Sequence, residues 1–374
     1  VTSETAVRPL GPSAPGAAAG AAALQALLLT PSRGLGGGIE RYVETVEAAF
    51  ADQAVTSVRL DLARPGLRAH RDLLAAASDA LAETAGPVRL IVAHTSLLPV
   101  AALAARRHPV SGISVICHGS EVWGRRSGPR RRLETRLMRR RDMRIVAVSS
   151  FTAGALFPGP QATILPPGLS AAWYGTLVSA ASQVSAASPG PRAGLELTTA
   201  FRLDDWRDKG LPELLAAVAA LRRADVRLTV CGSGTPPPEL LEQAARYPWC
   251  VLRQNLTDTE LAAQLAASDL FVLATRTRSG RGPSGEGFGL VLLEAQVAGT
   301  AVVGPARGGS PDAYLDGVTG ATPRDESAAA LAGLLSALVR RPERLSAMGA
   351  RGAAWARERF APNRYAALAV DRLL

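Results

Sequence analysis

The amino-acid sequence predicts an α/β protein of two domains, each built on a parallel sheet in the Rossmann manner. Three observations lead there. The chain has 374 residues, more than one hydrophobic core usually organises. From residue 24 onward, short β-branched or apolar runs alternate with longer Ala/Leu-rich amphipathic segments, the mark of stacked βαβ units. The alternation breaks once, across residues 171–194 (AAWYGTLVSAASQVSAASPGPRAG), where Ser, Ala, Gly and Pro dominate, and then restarts.

Taken in order, residues 1–23 (VTSETAVRPLGPSAPGAAAGAAA) lack a basic start and a long apolar centre, so a flexible tail is expected rather than a signal peptide. The first domain, 24–170, has strand candidates at 24–30 (LQALLLT), 55–62 (VTSVRLDL), 88–94 (VRLIVAH), 112–118 (GISVICH), 144–149 (RIVAVS) and 162–168 (ATILPPG). Residues 171–194 are read as the interdomain linker. The second domain, 195–356, has candidates at 195–202 (LELTTAFR), 226–232 (VRLTVCG), 249–255 (WCVLRQN), 270–275 (LFVLAT) and 300–305 (TAVVGP). The terminal helix, 357–374, is a candidate to pack back on the first domain.

Composition narrows the classes. Hydrophobic residues make up 47%, yet no uncharged apolar run reaches the roughly 18 residues of a membrane span, so a soluble, cytoplasmic protein is expected. Cys117, Cys231 and Cys250 are too few and too scattered for a disulfide framework or a zinc cluster and read as buried thiols. The net charge of +10 is made of 41 arginines and a single lysine, Lys209. Arginine fills every ordinary cationic position, so the one compact ammonium marks a place to follow.

Several segments carry residues suited to chemistry. The first strand runs into RGLGGGIERYVETVEAAF (33–50), a glycine-rich turn opening a helix, where Gly36, Gly37 and Gly38 would let backbone N–H groups approach an anion. Asp61, at the end of the second strand, stands where a dehydrogenase keeps its ribose-binding acid. CHGSEVWG (117–124) puts His118 and Glu121 at a strand's carboxyl end, and His94 ends the third strand in the same way, as a weaker candidate. AFRLDDWRDKG (200–210) places Arg202 and Lys209 at the end of the first strand of the second domain. Two cations at a strand's carboxyl end suit a pyrophosphate, although a solvated loop pairing Arg202, Arg207 and Lys209 with Asp204, Asp205 and Asp208 would read the same way. Lys209 is followed by Gly210 and Leu211, which excludes a P-loop. In PSGEGFGLVLLEAQVAGTAVVG (283–304), a glycine-rich turn enters an apolar helix with seven residues between Glu286 and Glu294. The amides of Phe288, Gly289 and Leu290 and the helix dipole form an anion cradle there, which a glycoside hydrolase would not need.

On these residues the chain resembles glycosyltransferase family 4, of the GT-B fold, from about residue 24 to the end. The E-x7-E motif is Glu286 to Glu294, the glycine loop Gly36 to Gly38, the strand-end histidine His118, and the Arg/Lys pair Arg202 and Lys209. ATRTRSGRGPSGEGFGLVLLEAQ (274–296) and CHGSEV look most like the phosphatidylinositol mannoside mannosyltransferase subgroup. One departure is Phe201, where the family has glycine. The resemblance implies a retaining transferase that takes a hexose or hexosamine from a nucleoside-diphosphate sugar, GDP-mannose or a UDP-sugar. The acceptor would be a hydroxyl of a glycolipid, a glycan or a small molecule. Arg202 and Lys209 would hold the pyrophosphate with the amides of Phe288, Gly289 and Leu290, and Gly232 and Gly287 would border the donor. Glu286 would hold the sugar hydroxyls and Glu294 the ribose, with His118 and the Gly37 loop facing them from the other domain. No cofactor and no metal are implied, since the chain has no D-x-D.

The basic segment 123–144 (WGRRSGPRRRLETRLMRRRDMR) sets ten arginines against Glu134 and Asp142. It is a candidate for peripheral contact with anionic lipid at the inner face of a membrane, or else a solvated helix face. It lacks the aromatic interleaving of a nucleic-acid surface, so no nucleic acid is expected. Two rivals stay open: an NAD-dependent oxidoreductase, which would leave E-x7-E and Lys209 idle, and a catalytically silent sugar-nucleotide sensor.

Overall fold

The computed structural model describes residues 24–31, 38–123, 128–157, 159–187, 194–278 and 283–374, and among them two six-stranded sheets carry the fold. The first half runs β1 (Ala26–Thr30), α1 (Gly38–Asp52), β2 (Ser57–Asp61), α2 (Leu67–Ala82), β3 (Val88–Val92), α3 (Leu98–Arg107), β4 (Val110–Cys117), α4 (Pro129–Met138), β5 (Met143–Ala147), α5 (Ser150–Gly154) and β6 (Ala162–Ile164). The strands pair in parallel in the order β2-β1-β3-β4-β5-β6. Strand β1 is an unbroken apolar run, ALLL before Thr30, because helices cover both faces of a parallel sheet and all five of its side chains are buried. Helix α1 shows the complementary pattern. Tyr42, Val43, Val46, Ala49 and Phe50 recur at helical spacing and, with Thr45, are the residues it buries.

After α6 (Ala171–Ala187) the second half runs β7 (Leu195–Arg202), α7 (Leu211–Ala220), β8 (Val226–Ser233), α8 (Pro238–Ala245), β9 (Cys250–Gln254), α9 (Asp258–Ala267), β10 (Leu270–Val272), α10 (Leu290–Val297), β11 (Ala301–Val303), β12 (Gly320–Ala321), α11 (Ala328–Val339), α12 (Pro342–Arg359) and α13 (Pro362–Leu373). Its order, β12-β11-β10-β7-β8-β9, is again all parallel. This is the GT-B arrangement of two facing Rossmann-like sheets. Each of the eleven strand segments read from sequence overlaps one of these strands, with β4, β5 and β8 reaching one or two residues beyond theirs. Strand β12, two residues long, is too short for any periodicity to show.

Two segments join the halves, and the second packs back on the first domain as the sequence reading proposed. Residues 171–187, rich in Ser and Ala and set aside as linker, form α6, whose Leu177 and Ala180 pack into one core with Ala262 and Leu265 of α9 and Leu292 of α10. Alanine is the best helix former, and here it outweighs the serines. Helix α13 returns to the first sheet, where Tyr365, Ala366, Ala369 and Leu373 share a core with Leu28, Tyr42, Ile116 and Val146. The chain therefore crosses between the halves twice.

Cys117 and Cys231 are buried free thiols, while Cys250, on the edge strand β9, is only partly buried. Burial raises all three thiols, Cys231 to about 12 and Cys250 to about 11, so none is a reactive thiolate near neutral pH. Among the described residues no helix is long and apolar enough to cross a membrane. The tail 1–23 lies outside the described residues.

Candidate active site

Strand order reverses between β1 and β3 in the first sheet and between β7 and β10 in the second. Open α/β sheets bind ligands beyond the carboxyl ends of their strands at such switch points. Here the two face one another across a cleft of about 680 Å³. Thr30 and Pro31 enter it from β1, His94 and Ser96 from the turn after β3, Ala200, Phe201 and Arg202 from β7, and Leu273 from the end of β10.

The lysine sits on the turn between β7 and α7. Gly210 opens α7 at φ +71°, and a Cβ there would run into the Ala274 carbonyl, so the turn closes only with glycine beside Lys209. Closed in this way, it brings Lys209 Nζ to 2.9 Å from Glu286 Oε2, and Thr275 Oγ1 donates to the same oxygen at 2.9 Å. Glu286 Oε1 receives no hydrogen bond among the described residues. An ammonium with three donors spends one on Glu286 and keeps two for a ligand. The cation singled out by composition and the first glutamate of the E-x7-E motif are thus direct partners, with side chains only 24% and 14% exposed.

Arg202 ends β7 and lines the cleft, but its guanidinium bonds Asp205 Oδ2 through Nε at 3.0 Å and Nη2 at 2.7 Å. The charged loop therefore pairs internally at Arg202, as the alternative reading of that run had it, and not at Lys209. A pyrophosphate would have to share Arg202 with Asp205. Gly232, at the end of β8, also lines the cleft, where the backbone of β7 lies too close to leave room for a side chain.

The start of α10 closes the other side. Gly289 takes φ +83°, a left-handed turn open to glycine, and presents the first amides of α10 to the cleft with Leu290. Phe288 is buried, meets Phe360 edge to face at 6.2 Å and does not line the cleft. Gly287 does not line the cleft. A Cβ there would collide with the carbonyl of His118 across the domain interface.

Glu294 lines the cleft one turn deeper and is 2% exposed. Its Oε1 accepts from Arg41 Nη1 at 3.1 Å and from Trp173 Nε1 at 3.0 Å. Arg41 belongs to α1, so this ion pair spans the two domains. Burial raises the Glu294 carboxyl above its usual range, against the opposing pull of Arg41 and Trp173.

His118 is not in the lining. Its strand, β4, is one place removed from the switch point, and it is His94, on the strand that borders it, that faces the cleft. His118 Nε2 lies 2.9 Å from the Ala93 carbonyl, which can only accept, so the ring donates there. Burial lowers its pKa and keeps it neutral at pH 7. Tyr42 meets its ring edge to face at 5.2 Å, and Glu121 accepts from the amides of His118 and Gly119. Gly36 and Gly37 lie outside the described residues. Gly38 begins α1 at the cleft.

Sequence reasoning missed Arg41, Arg59, Ser96, Trp173 and Thr275. One of them left a signal: a cation in the first turn of a helix opposes the dipole, so Arg41 is out of place unless an anion faces it. Trp173 was hidden in the supposed linker. Asp61, the candidate ribose acid of a dehydrogenase, is held by Thr30 Oγ1 and by Arg59 Nε at 2.8 Å.

The basic segment is partly structural. Glu134 is buried against Arg130 at 3.1 Å and Arg131 at 3.8 Å, and Arg140 grips Asp142 through two bonds of 2.9 and 2.6 Å. Arg132, Arg136, Arg139 and Arg141 are exposed, while Arg125 and Arg126 lie outside the described residues.

Residues 196–341 match the family model described as glycosyl transferases group 1. The GDP-mannose-dependent alpha-(1-6)-phosphatidylinositol monomannoside mannosyltransferase of Mycobacterium tuberculosis H37Rv is 30% identical over 280 residues, 69% of this chain and 68% of that protein. The enzyme of the same name from Mycolicibacterium smegmatis is 36% identical over 154 residues, spanning 40% of each chain. Among solved structures, Anabaena HepE in complex with UDP superposes with a TM-score of 0.71 at 18% identity, covering 93% of this chain and 99% of that one. Sucrose-phosphate synthase from Thermosynechococcus elongatus gives 0.72 at 16% identity, covering 93% and 98%.

Proposed function

Because the chain belongs to glycosyltransferase family 4, the group 1 glycosyltransferases, we propose that its cleft transfers a hexose or hexosamine from a nucleoside-diphosphate sugar to an acceptor hydroxyl with retention of configuration. The observation that carries this reading is the pairing of Lys209 with Glu286 at 2.9 Å beside the first amides of α10. A cation and free N–H groups converge where a diphosphate's charge would develop, and a carboxylate beside them has one oxygen open for sugar hydroxyls. In this assignment Lys209, Arg202 and the amides of Phe288, Gly289 and Leu290 hold the pyrophosphate. Glu286 binds the sugar hydroxyls, and Glu294 offers Oε2 to the ribose while Oε1 stays with Trp173. Gly38 faces the donor from the first domain. His118 contributes through the Ala93 carbonyl that it holds.

Cations and a helix start fill the place a divalent ion would take, so the reaction is assigned no metal. The mycobacterial relatives make GDP-mannose the first donor to test, with UDP-sugars second, and a glycolipid, glycan or small molecule the acceptor. The exposed arginines of 123–144 would suit an acceptor held in an anionic membrane.

A transfer assay with α-linked GDP-mannose and UDP-glucose in excess EDTA tests this reading, with proton NMR of the product. We expect turnover in EDTA and an α-linkage. Activity that disappears in EDTA and returns with manganese would overturn the metal-free site, and a β-linked product would overturn retention.

A further inference from the structure

A second cavity, of about 570 Å³, opens at the amino ends of β3, β4, β5 and β6, the edge of the first sheet opposite the cleft. Arg89, Ser111, Arg141, Asp142, Arg144 and Thr163 line it. Three guanidiniums therefore surround one carboxylate, and that carboxylate is already taken by the two-bond grip of Arg140. Among the described residues the hydrogen bonds of Arg89 and Arg144 go to neutral groups, although the Asp142 charge also acts on Arg89. Arg89 donates from Nε to Ser114 Oγ at 3.1 Å and from Nη1 to the Ser111 carbonyl at 3.4 Å, packed over Gly112, where a Cβ would lie 2.5 Å from Nη1. Arg144 Nη1 donates to the Asp371 carbonyl at 3.0 Å.

Among the described residues no hydrogen bond comes from Arg89 Nη2, from Arg144 Nε or Nη2, or from Arg141. Partly desolvated like charges with spare forked donors are unbalanced as they stand. Burial and the neighbouring Arg144 charge work against the charge on Arg89 and outweigh the opposing pull of Asp142, and an arginine cannot shed that charge. A dianionic oxyanion would neutralise the cluster and take the unused N–H groups in the two-point geometry that guanidinium offers phosphate.

We propose that this cavity is a second anion site, binding inorganic phosphate or a phosphomonoester through Arg89, Arg141 and Arg144. It is separate from the donor cleft, since it lies at the opposite ends of the strands. It also touches the element that joins the two halves. Arg144 and Ser114 hold the carbonyls of Asp371 and Leu373 at the end of α13, and α13 packs on α1, which carries Arg41 to the cleft. An anion here would compete for Arg144 and so act on the end of that helix.

The test is equilibrium dialysis of the full chain with radiolabelled inorganic phosphate at constant ionic strength in chloride, done in a Lys209→Ala background to weaken any binding in the cleft. A flotation arm uses phosphatidylcholine vesicles with and without phosphatidic acid. We expect phosphate binding to survive Lys209→Ala and to weaken at least about tenfold in Arg141→Ala and in Arg144→Met, with Arg144→Lys intermediate. Arg141 is exposed, so its loss leaves folding intact. Flotation only with phosphatidic acid, lost in Arg141→Ala, would assign the phosphate to a lipid headgroup, and absence of flotation with phosphate binding intact would assign it to a soluble ligand. Loss of all phosphate binding in Lys209→Ala, binding unchanged by both arginine variants, or no preference over chloride would each overturn the site.

Discussion

The two glutamates of the E-x7-E motif stand a few turns of chain apart and are held in opposite ways. Glu286 is held from within its own domain, by Lys209 from the β7–α7 turn and by Thr275 after β10. Glu294 is held from outside the second sheet, by Arg41 of the first domain and by Trp173 on the connecting helix α6. The first arrangement does not involve the other domain, because Lys209 and Thr275 both sit on turns that follow strands of the second sheet. In the second, the Trp173 bond stays with the second domain, because α6 packs on α9 and α10, and only the Arg41 bond depends on how the two domains sit. One end of the cleft is thus preorganised for chemistry, and the other reports the relation between the domains.

The largest expected effect tests the preorganised end. Lys209→Ala removes a charge-assisted hydrogen bond worth roughly 1.5 to 3 kcal/mol, or about 10- to 150-fold in kcat. Lys209→Arg should restore only part, since a planar fork does not fit between Glu286 and two phosphate oxygens in the space of an ammonium. Steady-state kinetics would break the comparison if Lys209→Arg proved fully active. Next comes Glu286→Gln, expected to lower kcat by about tenfold or more while the nucleotide Kd moves little. A change confined to Kd would show that the sugar and ribose assignments of the two glutamates are reversed.

Glu294→Gln should do the opposite, weakening nucleotide binding with a smaller effect on kcat, and it carries a pH signature. Burial raises the folded-state carboxyl pKa, so between the ordinary carboxylate range and that raised value the folded chain holds a proton the unfolded chain has lost. Stability contributed by this group is therefore present at low pH and lost as pH rises through the folded pKa. The neutral amide removes that loss. Melting curves should show Glu294→Gln with a higher Tm than the parent at neutral pH, the difference vanishing in acid. A lower Tm at neutral pH would mean that the Arg41 pair outweighs the cost of burial.

The smallest effect concerns Arg41 itself. Its side chain is 47% exposed, so its bond to Glu294 is worth at most about 1 kcal/mol. If it competes with the ribose, Arg41→Met should tighten nucleotide binding by up to about fivefold. Weaker binding measured by calorimetry would place Arg41 on the ligand rather than against it.

What the sequence determined by itself follows from local physics. All the described strands but β12 were legible, the central ones because fully buried parallel strands must be apolar runs, as in ALLL of β1 and AVV of β11. The chemistry-bearing turns were legible because glycine and a lone lysine are rare enough to be noticed where they stand. Tertiary structure decided the remainder, and for one reason: it brings together residues whose separation in sequence carries no signal. Strand order put His94 rather than His118 on the cleft, although both end a strand, because only β3 borders the switch point. Packing set Trp173, on the helix that the linker's alanines form, on a glutamate 121 positions away. Arg202 spends its charge on Asp205 and Lys209 spends its own on Glu286, 77 positions on. Composition could name the cations; only the folded chain could choose their partners.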